Sequence, residues 1–88
     1  MAQVVWTKRA LADLMAIREY IGRFIPLAAQ RIAARLRSAA ESLAEHPERG
    51  RLATGTLREL VVAPPYVIRY YFGDDAVRIV RIRHAAHP

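Results

Sequence analysis

The hydrophobic period of this chain changes once, and that change limits what it can fold into. Up to about residue 45 the apolar residues recur at spacings of three and four; after Thr56 they alternate. The first spacing belongs to helices buried along one stripe, the second to strands with one buried face. With 88 residues there is too little chain for two hydrophobic cores, so both parts must share one.

Gln3–Trp6 reads as a short apolar strand, with Trp6 packing in the core and Thr7 following as a helix N-cap. The first helix runs roughly from Arg9 to Arg23. Its stripe is Ala10, Leu14, Ile17, Ile21 and Phe24, with Asp13 and Glu19 away from it. Gly22 weakens its end, and Pro26 suits the first turn of the next helix. That second helix extends from about Pro26 to Glu45 and buries Ala29, Ile32, Leu36, Ala39 or Ala40, and Leu43. Its many alanines allow the two helices to approach closely as an antiparallel hairpin. His46–Pro47 ends it, because a residue before proline is driven out of the helical region. Gly50 and Gly55 then mark a polar loop through Thr56.

Three strands follow: Leu57–Val62, Tyr66–Phe72 and Val77–Arg83, joined by a Pro64–Pro65 turn and a Gly73–Asp74–Asp75 hairpin loop. On the middle strand Tyr66, Ile68, Tyr70 and Phe72 share the apolar face, and Val67, Arg69 and Tyr71 the other. The expected fold is α+β. An N-terminal strand and an antiparallel helical hairpin pack on an antiparallel sheet that a C-terminal three-stranded meander completes, all in one domain spanning residues 1–88.

The formal charge is +6, from 14 Lys and Arg against 8 Asp and Glu, and Lys8 is the sole lysine. Arg58, Arg69, Arg78, Arg81 and Arg83 lie on the three C-terminal strands, so several cations project from the sheet. Guanidinium forks suit phosphate and carboxylate, which points to nucleic acid or an acidic protein segment; a solvated face is the plainer alternative. Cysteine is absent, so disulfides and thiolate metal sites are excluded, and no His, Asp or Glu spacing suggests a metal or other cofactor. The chain opens without a signal-peptide pattern and has no apolar run near the ~20 residues a membrane span needs, so a soluble cytoplasmic protein is expected.

The words that fill this order resemble the RelE/ParE superfamily of toxins from type II toxin–antitoxin systems. They begin with Val5-Trp6-Thr7, Ala10, Asp13, Leu14, Ile17, Tyr20-Ile21, Pro26 and Ala28-Ala29. They continue with Leu43, Pro47, Gly50-Arg51, Arg58-Glu59-Leu60-Val61, Tyr66-Val67-Ile68, Tyr70, Val77 to Ile82, and His84. The resemblance covers nearly the whole chain. It implies a toxin held inactive, within a hetero-oligomer, by a cognate antitoxin whose acidic, partly disordered segment orders on binding.

That superfamily offers two chemistries. RelE-like members cleave mRNA on the ribosome, which requires proton transfer and cations around the phosphate. Here the resemblance implies proton transfer by His84 or His87, a base role for Glu59, and a phosphate contact from Arg58, Arg69 or Arg81. The chain departs from that pattern: Val67 stands where arginine is common, and Ala85-Ala86-His87-Pro88 lacks a further arginine and tyrosine. ParE-like members poison DNA gyrase and need no catalytic constellation, so that reading fits better. The expected partner-binding residues are then Arg69, Tyr71, Arg81, Arg83 and His84. A third possibility is a non-toxic member that binds its antitoxin and, through it, operator DNA.

Overall fold

The structure, a computed structural model, describes residues 1–62 and 64–85. Its elements in chain order are β1 (Gln3–Trp6), α1 (Lys8–Gly22), α2 (Pro26–Ser42), β2 (Arg51–Thr54), β3 (Leu57–Val62), β4 (Tyr66–Gly73) and β5 (Ala76–His84). The five strands form one sheet in the order β1-β5-β4-β3-β2. The α+β arrangement is the expected one, with two differences. β1 lies parallel to β5, pairing Val4 with Val77 and Trp6 with Ile79, so the sheet is mixed. In addition, part of the expected polar loop is a strand, β2, which pairs antiparallel with β3.

β2 escaped the period-two reading because all four of its residues, Arg51-Leu52-Ala53-Thr54, are exposed. An edge strand with no buried face carries no alternation to read. Its hairpin to β3 turns through Gly55, whose φ of 58° suits a residue without Cβ. The β4–β5 hairpin places Asp74 and Asp75, not Gly73, in the left-handed region, with φ of 52° and 57°. Two such residues make the primed turn that matches strand twist, and aspartate tolerates it better than most.

Thr7 caps α1 as expected and also ties it to the sheet. Its Oγ1 accepts from the Ala10 N–H at 3.1 Å and donates to the Ile79 carbonyl at 2.9 Å. α2 stops at Ser42, three residues short of the expected end. There the N–H groups of Leu43, Ala44 and Glu45 bond to carbonyls three residues back, tightening the last turn. The core brings Ala10 and Leu14 of α1 and Ala33, Leu36 and Ala40 of α2 against Ile68, Tyr70, Val77, Ile79 and Ile82 of the sheet. Trp6 and Tyr66 pack against this core, whereas Phe24 and Phe72, expected on buried faces, are exposed, Phe24 just beyond the end of α1 and Phe72 near the end of β4.

Tyr70 holds the polar loop to the sheet. Its ring is fully buried, and its hydroxyl accepts from the Gly50 N–H at 2.8 Å and donates to the Pro47 carbonyl at 2.7 Å. A Cβ on Gly50 would stand 2.7 Å from the Tyr70 hydroxyl oxygen and 2.9 Å from the Glu59 carbonyl. Tyr70→Phe leaves the Gly50 N–H buried without its acceptor and should cost about 2 kcal/mol in urea unfolding. Gly50→Ala, which forces the ring or strand to move, should cost about 2–3 kcal/mol in the same measurement.

Candidate functional site

The face of the sheet that carries Glu59, Val67 and Arg69 contains a depression of ≈ 360 Å³. It is lined by Arg51, Glu59, Val61, Val67, Arg69, Arg83, His84 and Ala85. Register assembles it: Glu59 on β3 stands opposite Arg69 on β4 and Arg51 on β2, and Val67 stands opposite Arg83 on β5. Residues that alternate along each strand thus converge from four strands.

Glu59 sits at the centre of the charge. Its Oε2 accepts from Arg69 Nε at 2.7 Å, and its Oε1 from an Arg51 terminal nitrogen at 3.1 Å. The Glu59 side chain is only 12% exposed, Arg69 34% and Arg51 75%. The carboxylate is therefore shielded, while the outer guanidinium faces solvent. Both carboxylate oxygens are thus engaged by arginine side chains of neighbouring strands.

Of the residues the sequence pointed to, the structure brings four together: Glu59, Arg69, Arg83 and His84. His84 also packs edge-to-face on Tyr66, with ring centroids 5.6 Å apart. Tyr71 lies two residues along β4 from Arg69, on the same face and exposed, but outside the depression. His87 lies outside the described residues.

Arg58 and Arg81 are engaged elsewhere. Arg58 donates to the carbonyls of Gly50 and Glu48, at 2.7 and 3.3 Å, and so braces the loop that Tyr70 also holds. Arg81 Nε donates to Asp13 Oδ2 at 2.8 Å. Asp13 was expected to lie away from the buried stripe of α1. Instead it reaches β5, where the same oxygen accepts from the Ile82 N–H at 2.9 Å. β1 stops opposite Ile79, so Asp13 satisfies a donor on the strand edge that β1 leaves open. The available signal was position: Asp13 is three residues from buried Ala10 and one from buried Leu14. Arg51 also went unrecognised, because the strand that carries it shows no alternation. No group of three or more His, Cys, Asp or Glu among the described residues is arranged to hold a metal ion.

Comparison with known proteins agrees with this architecture. Residues 4–87 match the family model described as the ParE toxin of the type II toxin–antitoxin system parDE. Toxin RelE2 of Caulobacter vibrioides is 79% identical over 86 residues, covering 98% of each chain. Toxin RelE3 of the same organism is 41% identical over 80 residues, covering 88% of this chain and 87% of the relative. A solved structure of a chromosomal ParDE toxin–antitoxin system from P. aeruginosa shares the fold, with a TM-score of 0.84 and 24% identity over 96% of each chain. The chain belongs to the ParE toxin family, within the RelE/ParE superfamily of type II toxins.

Tyr66, beside His84, supplies a test of the packing at this end of the sheet. Burial raises its phenol above the ordinary value of 10.0, and nearby Tyr20 raises it further. The folded chain thus keeps the phenolic proton to higher pH than the unfolded chain. The associated stability is full below the unfolded value and is lost as pH rises through the folded one. In urea titrations between about pH 8 and pH 11, Tyr66→Phe should lose less stability at the alkaline end than the native chain.

Proposed function

We propose that this chain is a toxin neutralised by a cognate antitoxin and that it acts in the ParE manner, by poisoning DNA gyrase rather than by cutting RNA. The supporting observation is the internal engagement of the would-be catalytic groups. Arg58 braces a loop, Arg81 holds Asp13, and the Glu59 carboxylate is already gripped by Arg51 and Arg69. A general base has to be within reach of the proton it takes and free to accept it. A binding poison has no such requirement, only a surface for its target.

The surface also suits an antitoxin. Met15, Tyr20, Phe24, Ile25 and Leu27 of the helical hairpin are more than half exposed, and Tyr20 and Phe24 stack edge-to-face. Apolar side chains gathered in this way mark interaction surfaces. Beside them, Ile25, Leu27, Ala28 and Ile32 line a groove with Arg31 and Arg35. An amphipathic acidic segment would bury the apolar row and pair with these arginines, and the +6 charge of the chain favours it over a second copy of the toxin.

One observation favours the RelE-like alternative: Glu59, Arg69, Arg83 and His84 line one depression. The two readings separate in a cleavage-complex assay with antitoxin-free protein, supercoiled plasmid, gyrase and ATP. Gyrase-dependent linear DNA should accumulate, and His84→Ala should leave its yield within about twofold, as for a surface contact rather than a proton-transfer group. Growth arrest without linear DNA, abolished by His84→Ala, would instead assign the chain to mRNA cleavage. Protein that arrests nothing would be a non-toxic antitoxin-binding member.

A further inference from the structure

We propose that Tyr71 and Arg78, on the uncovered face of the sheet near the β4–β5 turn, form the anchor by which this chain grips its protein target. They stand in one row: Tyr71 on β4 is opposite Arg78 on β5, which is opposite Val5 on β1. Tyr70, Val77 and Ile79 are buried in the core, so their neighbours Tyr71 and Arg78 project from the other face. Both helices pack on the core side and leave this row open. Tyr71 is 42% exposed, and Arg78 is exposed as well.

Internal engagement singles out Arg78. On β3, β4 and β5, Arg58 holds loop carbonyls, Arg69 holds Glu59, Arg81 holds Asp13, and Arg83 has a partner of its own. Arg78 has no ion pair or hydrogen bond among the described residues. Its guanidinium can therefore meet another molecule without giving up a contact already made. Tyrosine and arginine are also the side chains that most often carry binding energy at protein interfaces. The ring buries a large area at small entropic cost, and the fork pairs with a carboxylate.

The surroundings select a protein rather than a nucleic acid. A phosphate backbone is held by several cations at once. Here the unpaired guanidinium has carboxylates close by: Asp74 lies three residues after Tyr71, Asp75 three before Arg78, and both are exposed. Their charges oppose a polyanion but suit a protein surface of mixed charge. The fitting partner presents an apolar recess for Tyr71, a carboxylate at its rim for Arg78, and a basic side chain toward Asp74 or Asp75. The identity of that partner rests on the gyrase reading above.

The test is binding of the purified full chain to gyrase holoenzyme, without DNA, by surface plasmon resonance, alongside the linear-plasmid yield of the cleavage assay. Tyr71→Ala and Arg78→Ala should each weaken binding by about tenfold or more and lower the yield in step, as for anchor residues. Arg37→Ala, which removes the same charge from an exposed position on α2, should stay within about twofold of the native chain. Thermal unfolding confirms that each variant is folded. Folded Tyr71→Ala and Arg78→Ala that bind as the native chain does would overturn the anchor and leave gyrase as the target. A loss with Arg37→Ala as large as with Arg78→Ala would reduce the effect to net charge and overturn it too. Binding that requires DNA would give the row to nucleic acid and overturn the protein contact. A native chain that binds no gyrase at all would remove the target, and this anchor with it.

Discussion

A single irregularity in β5 decides which of its residues face the core. Along Val77-Arg78-Ile79-Val80-Arg81-Ile82-Arg83, strict alternation would put Arg81 and Arg83 on the same face as Val77 and Ile79. The pairing shifts instead: Arg69 stands opposite Arg81, but the next residue, Tyr70, stands opposite Ile79, and Val80 is left over. This one-residue bulge brings Ile82 onto the face of Ile79 and Val77, and all three are buried. A strand in register throughout would have had to bury arginine beneath the helices or expose its isoleucines. The core, the basic face and the reach of Arg81 to Asp13 all depend on that shift.

The polar contacts then divide the arginines between structure and surface. Arg58 holds carbonyls of the loop just before it in sequence, and Arg81 a helix carboxylate 68 residues away. With Tyr70 pinning Gly50 and Thr7 bridging α1 to Ile79, they tie the helices and loops to the sheet. Arg51, Arg69 and Arg83 remain on the open face around Glu59. The arginines around Glu59 thus include one, Arg51, from a strand other than the three that the sequence marks as arginine-bearing.

Most of the fold was legible because periodicity and turn chemistry agree. The bounds of β1 and β3, the Thr7 cap, proline at the start of α2 and the hairpin through Asp74 and Asp75 can all be read locally. The site was legible in part. Glu59, Arg69, Arg83 and His84 were singled out as residue types and do line one depression. Asp13 and Arg51 were missed because their roles lie in partners 69 and 8 residues away; only the position of Asp13 beside buried Ala10 and Leu14 hinted at it, and nothing local marks Arg51.

The sequence by itself determined the kinds of element, their order and the family, because these follow from spacing, caps and turn residues that act within a few positions. Only the tertiary structure decided that β1 runs parallel to β5, that an exposed polar segment becomes an edge strand, and which arginines are engaged internally. Those outcomes rest on hydrogen-bond register and long-range pairing. A backbone donor on an open edge, or a guanidinium near a carbonyl, is satisfied by whatever the fold brings within about 3 Å, and that is settled in space rather than along the chain.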